Sequence, residues 1–476
     1  MSIRKYFASK DNTITNAFKE NLVTRATDAN MGASDSLEVF TIYGQATTSS
    51  LEKSRILIEF PINSIIADRN INKLPASGSV NYFLKLFNVQ HPYSLPKDYS
   101  LAVYPISKSW DEGYGLDMES YLDLGYVSGS GGYGSNWLYA KSGSAWSNEG
   151  GDYLSGSGNE FTSSFITGIE NLEIDITSLV ERWIDGSLTN NGLIIMLSGA
   201  YETGATETSF YTKKFSARGS EYFYNKPCIE AKWNPIQTDD RTNFFASSSM
   251  LAADDNKMNL YFYNRINGSL KNIAGNPIPT VKFYTNSSYS NEITAAFSSI
   301  SNPASGTYKI QAAIDTTASV LYDKWTNPSD STKVFFSGSF DVYQRTNLDY
   351  DNNSEYILNI KNLKSLYNQN ENVKFNIFIR NYDWQPTIYT VAYNNVENTI
   401  LPNLYYKIFR VNDNYTIVDY STGSLAYSKT SYDSNGNYFD LDMNILEKNY
   451  TYGIKFATYD GIILKEDKNI FKFRVE

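Results

Sequence analysis

The chain contains one cysteine, Cys228, and one histidine, His91. That scarcity excludes an intrachain disulfide framework and any Cys₂His₂, Cys₄ or His-rich metal centre. A Ser-His-Asp arrangement could use only His91, which lies in the loop-like stretch Gln90-His91-Pro92-Tyr93 with no glycine-flanked nucleophile nearby. Cys228, in Lys226-Pro227-Cys228-Ile229-Glu230, is expected to face a core as a small apolar residue. No Lys/Arg run offers a phosphate track, and a net charge of −10 opposes nucleic-acid binding. No stretch approaches a membrane-spanning run, and Met1 to Lys10 lacks the apolar segment of an export signal. The chain is therefore expected to stay in the cytoplasm where it is made unless lysis releases it. The carboxylate pairs Asp111/Glu112 and Asp254/Asp255 are sequence neighbours. Adjacent side chains of a strand point to opposite faces, so neither pair is a natural acid/base couple. Their acidic character would suit a solvated turn or a stray cation, but no calcium-loop spacing is present. No catalytic residue, cofactor site or metal site is expected.

Tyrosine is abundant instead, with 39 copies beside 26 phenylalanines and 7 tryptophans in 476 residues. A tyrosine ring suits a pleated, half-buried surface with its hydroxyl wet, which favours β-structure with large interfaces. Strand patterns recur along the chain. Ile56, Ile58 and Phe60 share one face of Arg55–Phe60, and Val373, Phe375, Ile377 and Ile379 alternate with more polar neighbours. The last six residues, Phe471 to Glu476, follow a strict period of two, whereas Leu193–Leu197 is apolar throughout and suits a strand buried on both faces. One helix start stands out: Ser178-Leu179-Val180-Glu181 has capping-box spacing, and Gly186 supplies a stop. The fold class expected is all-β, a jelly-roll-like β-sandwich followed by one or two immunoglobulin-like β-sandwiches.

A chain of this length exceeds one hydrophobic core. The polar, proline-bearing stretch Asn234 to Asp240 reads as a linker, and a weaker boundary falls near Asn347–Ser354. The expected division is 1–233, a linker at 234–240, a sandwich at 241–348 and another at 349–476. Between Gly125 and Gly158, many glycines and serines surround Trp137, Tyr139, Trp146 and Tyr153. Aromatics at that density predict a loop packed on its own domain or on a partner, rather than a free one. These four residues are the candidate partner or glycan contacts.

Residues 11–233 resemble the DNRLRE-type domain, a jelly-roll sandwich of secreted bacterial and phage-associated proteins. The resemblance runs in order through Asp11-Asn12-Thr13-Ile14, Asn30-Met31-Gly32-Ala33-Ser34 and Ser54–Phe60. It continues through Val103–Ile106 with Ser109–Gly113, then Ile174–Trp183, Asn190–Ile195 and Phe210–Lys214. It departs from the family in an enlarged loop from Tyr114 to Asn171. Some members bind polysaccharide, so the resemblance implies that Trp137 and Trp146 could stack on sugars. Farther on, Leu446 to Phe456 is similar to the tyrosine-corner strand of immunoglobulin and fibronectin III-like modules, with Tyr452 turned inward. Jelly-roll plus immunoglobulin-like modules without an export signal resemble a tailed-bacteriophage virion structural protein of the neck, tail or capsid exterior. The partners expected are other virion proteins and further copies of the chain, with a polysaccharide as an alternative ligand, and neither nucleic acid nor membrane. A carbohydrate-binding adhesin is the alternative function.

Overall fold

The computed structural model describes residues 3–19, 21–43, 51–71, 73–92, 95–116, 134–345, 355–384 and 398–476. The weaker boundary expected near Asn347–Ser354 lies outside them. The chain is all-β and forms two compact units, one over Ile3–Trp233 and the other chiefly over Asn234–Glu476.

The first unit is a sandwich. Its strands are β1 (Ile3–Phe7), β2 (Lys10–Thr15), β3 (Ser36–Tyr43), β4 (Leu51–Glu59), β5 (Val80–Leu86), β6 (Tyr99–Pro105), β7 (Tyr139–Lys141), β8 (Ser144–Ala145), β9 (Phe161–Phe165), β10 (Leu172–Asp175), β11 (Leu193–Leu197), β12 (Phe210–Ser216) and β13 (Cys228–Trp233). One sheet runs β1-β13-β5-β10; the other runs β12-β3-β4-β11-β6-β9, with β2 also on β4. All these pairings are antiparallel. The larger sheet carries apolar residues on both faces. Ile56, Ile58, Leu193, Ile195 and Leu197 fill the space between the sheets, while Leu57, Ile194 and Met196 belong to a second core. The unbroken apolar run of β11 is thus explained: each of its faces meets a different core.

Helix α1 (Ile62–Asn70) was not foreseen, and α2 (Thr177–Ile184) begins differently from the capping-box expectation. The N-cap residue Ile176 offers no side-chain cap, and the Asp175 carboxylate accepts the Thr177 N–H at 2.8 Å. The Thr177 hydroxyl instead accepts the Tyr82 N–H at 2.8 Å, and Glu181 receives a two-pronged bond from Arg69 of α1 at 2.8 and 2.6 Å. An arginine fork on a partly buried carboxylate outweighs a local backbone cap. Cys228 is buried, and burial pushes its thiol up to about 11, as befits an apolar packing residue.

The second unit contains two sandwiches. In the first, Phe244–Phe245, Asp330–Tyr343, Val320–Asn327, Thr280–Tyr284 and Glu292–Ile293 form one sheet in that order. It faces Met258–Tyr263, Thr307–Ala313 and Ala296–Phe297. Its core holds a buried ion pair. Arg241 donates to both oxygens of Asp323 at 2.8 and 2.6 Å, and the Trp325 indole donates to the same carboxylate at 2.6 Å. In the second, Tyr356–Ile360, Asn372–Asn381, Gly436–Asp442 and Ser431–Asp433 face Leu366–Tyr367, Phe471–Val475, Thr451–Tyr459, Leu404–Arg410 and Thr416–Val418. In both sandwiches a short early strand pairs parallel with the last, as immunoglobulin-like sheets do. Tyr452 is fully buried and its hydroxyl donates to the Glu447 carbonyl at 2.7 Å, completing the tyrosine corner.

The later part of the stretch read as a linker, 234–240, is hydrogen-bonded to Tyr432. Tyr432 N–H donates to the Gln237 carbonyl at 2.9 Å, and Asp239 N–H to the Tyr432 carbonyl at 3.0 Å. The Tyr432 hydroxyl then donates to Asp240 at 2.7 Å, and Asp239 and Asp240 are both buried. Polar residues here complete a sheet edge rather than face water.

Candidate functional site

The described part of the enlarged loop packs on the outer face of the larger sheet. Trp137, Ala140 and Trp146 close over Ile14, Leu57, Ile106, Trp110, Ile194 and Met196 as a second hydrophobic core. Among the described residues, the loop's backbone is bonded partly within the loop and partly to the sandwich, as where Trp137 N–H donates to the Thr27 carbonyl at 3.1 Å. Asn136 accepts from Leu138 N–H at 2.9 Å and Tyr139 N–H at 2.7 Å, and the Trp146 indole donates to the Asn136 carbonyl at 2.9 Å. Asp152 accepts from Ser147 and Asn148 N–H, both at 2.8 Å. Burial works against its charge, but those bonds outweigh it and hold its carboxyl below the usual range.

Beneath the loop, the Arg55 guanidinium lies 5.0 Å from the Trp137 ring centroid and donates to the Gly150 carbonyl at 2.7 Å. It also forks onto Glu202 at 3.0 and 2.8 Å. Burial pushes the Glu202 carboxyl up, and the Arg55 and Lys53 charges oppose it. Only glycine fits at 150: φ is +85°, and a Cβ would stand 2.7 Å from the guanidinium and 2.8 Å from the indole.

The motif pieces scattered along residues 11–113 meet at the loop's root. Asn12 donates to the Ser135 carbonyl at 2.8 Å; Asn30 donates to the Glu112 carbonyl at 2.7 Å and the Ser135 carbonyl at 2.8 Å. Asn30 also accepts from Gly115 N–H at 2.9 Å. Arg218 binds Glu112 at 3.0 and 2.7 Å, and its N–H donates to Asp11. Burial, aided by the Glu112 charge, raises the Asp11 carboxyl to about 7 against those stabilising bonds. The Trp110 indole donates to the Asn191 carbonyl at 2.9 Å. This buried polar network anchors the ends of the segment between Gly115 and Gly134, of which residues 117–133 lie outside the described ones.

The four candidate contacts therefore divide. Trp137, only 4% exposed, and Trp146 are core residues, so neither ring face is open to a sugar or a partner. Tyr139 and Tyr153 lie exposed at the rim, where Tyr153 sits 4.9 Å from Tyr104. The indoles that suggested stacking were the loop's own packing material, which the density of aromatics anticipated. Sequence reasoning missed two exposed apolar loop tips. Ile166 and Ile169 are 70% and 58% exposed, and Ile462 and Ile463 are 88% and 64% exposed. Each tip is held by an acid: Glu170 accepts from Ile166 and Thr167 N–H at 3.0 and 2.7 Å, and Asp460 from Ile462 and Ile463 N–H at 2.8 and 2.7 Å. An isoleucine beside glycine and an acid, as in Ile166–Glu170 and Asp460–Ile463, was the available signal.

No family model and no curated relative matches the chain. Among solved structures, the Yersinia pseudotuberculosis adhesin InvE is similar over 46% of this chain at 11% identity, with a TM-score of 0.15. The aligned region spans 59% of that structure's length, and a likeness of this size carries no functional argument.

Proposed function

We propose that the chain is a structural protein of a tailed-bacteriophage particle, placed on the neck, tail or capsid exterior. It works through protein–protein contacts rather than catalysis, as one of several copies in the particle, and its first unit is a DNRLRE-type module. The observation that carries this reading is the pair of isoleucine-bearing loop tips. Water-exposed isoleucines on loops already fixed by hydrogen bonds lose little conformational freedom when a partner covers them. Each one fully covered contributes about 1.5–3 kcal/mol. Repetition around a symmetric particle then multiplies modest single contacts.

The test is incorporation. Ile166→Asp and Ile463→Asp should leave unfolding temperature unchanged and reduce the amount of protein in purified particles. Normal incorporation of both variants would refute contact through these tips. A polysaccharide-binding adhesin is the second reading, favoured by the exposed rings of Tyr139 and Tyr153. It predicts that Tyr153→Ala lowers glycan binding, whereas loss confined to Trp137→Ala would reflect unfolding of the loop.

A further inference from the structure

Lys213 lies on β12, the edge strand of the larger sheet, and its side chain turns into the sandwich, leaving the residue 1% exposed. Its Nζ stands 5.2 Å from the Phe165 ring centroid and 5.0 Å from that of Phe215. It donates to the side-chain oxygen of Asn88, and to the carbonyls of Gly168 at 2.7 Å and Glu170 at 2.9 Å. Asn88 is held beside β12 by its neighbours: Val89 N–H donates to Lys214 at 3.1 Å and Ser216 N–H to Phe87 at 2.9 Å. Two more polar atoms border this site. The Glu170 Oε2 and the Tyr99 hydroxyl are buried without a hydrogen-bond partner among the described residues. The Tyr99 ring stacks on Phe165 at 5.2 Å, so the amine and the carboxamide meet in an aromatic-walled corner, where the Glu170 charge acts on both Lys213 and Tyr99.

We propose that Lys213 and Asn88 react with each other to form an isopeptide bond. The unprotonated Lys213 amine attacks the Asn88 Cγ, making an Nζ–Cγ bond. One proton of the attacking amine passes to the Asn88 Nδ2; the Cγ–Nδ2 bond then breaks and ammonia leaves. No electrons are exchanged with an outside reagent, and no co-reactant is needed. Burial favours the neutral amine, lowering its pKa to about 8 while the Glu170 charge partly opposes this. The same burial favours the product, because a neutral amide replaces an ammonium held away from water. The bond would tie the edge strand of one sheet to the segment that follows β5 in the other.

Intact-mass measurement of the full chain tests this directly. The expected mass is lower than the sequence mass by one ammonia. Trypsin should yield Leu86–Lys97 branched onto Trp183–Lys214, because an acylated Lys213 resists cleavage. Asn88→Ala and Lys213→Met should each restore the full mass. An unmodified wild-type mass would overturn the proposal whether or not the variants fold. Ammonia loss traced to an Asn-Gly succinimide, such as Asn267-Gly268, with no branched peptide would overturn it equally.

Discussion

Trp137→Ala separates a core tryptophan from a contact tryptophan. The ring is buried against the outer face of the larger sheet, with the Arg55 guanidinium 5.0 Å from its centroid. Replacing a buried indole by a methyl group costs about 3–5 kcal/mol, since the lost transfer energy is joined by an unfilled cavity. Loss of the cation–π contact adds about 0.5–2 kcal/mol at a site screened from water. The Arg55–Glu202 pair beneath would then border a void. For a domain of this size, 1 kcal/mol moves the melting temperature by roughly 2–4 °C, so the N-terminal unit should melt at least ~6 °C lower. The assay is calorimetry of the full chain with Trp137→Ala and Trp137→Phe, the second keeping an aromatic ring and losing less. Tyr153→Ala, at the exposed rim, should change melting by under ~2 °C. An unchanged transition in Trp137→Ala would refute the packing argument and return the ring to the surface.

Three other outcomes follow from the geometry. Tyr452→Phe should destabilise the last sandwich by about 1 kcal/mol, the scale of one lost hydrogen bond, and Tyr452→Ala by about 3 kcal/mol or more, read from chemical denaturation. Asp11, whose carboxyl rises from 3.8 unfolded to about 7 folded, contributes stability fully present below about pH 4 and lost as pH rises through 7. Asp11→Asn should remove that part of the decline, and identical pH profiles would contradict it. Glu230 runs the other way. Its burial opposes the charge, but Lys5, Lys85 and Lys232 prevail and lower it to about 2, so its stabilisation is present above 4.5 and lost as pH falls toward 2. Glu230→Gln should flatten melting temperature over that acid range.

The parts of the fold legible in the sequence are those set by apolar period. The run Leu193–Leu197 announced two buried faces, and Tyr452 with Leu446 announced a corner, because such patterns depend on neighbours in sequence. Helix α1 was hidden because its buried apolar residues, Ile62 and Ile65, are too few for a clear stripe. The cap expected of Glu181 failed because Arg69, 112 positions away, bound it more strongly. Aromatic density revealed that the loop around Trp137 and Trp146 is packed. What it packs on depends on Arg55, Leu57 and Ile194, which no local spacing links to it. Lys213 and Asn88 are 125 residues apart, and nothing in either neighbourhood marks them as partners.

The central claim is membership of a particle, and its most direct test is quantitative protein analysis of gradient-purified virions before and after a high-salt wash. Apolar contacts of the kind proposed for the isoleucine tips resist the screening that weakens exposed charge pairs. The chain should remain in the washed particles at several copies per virion; its absence from them, while the free protein is recovered from the lysate, would contradict the account.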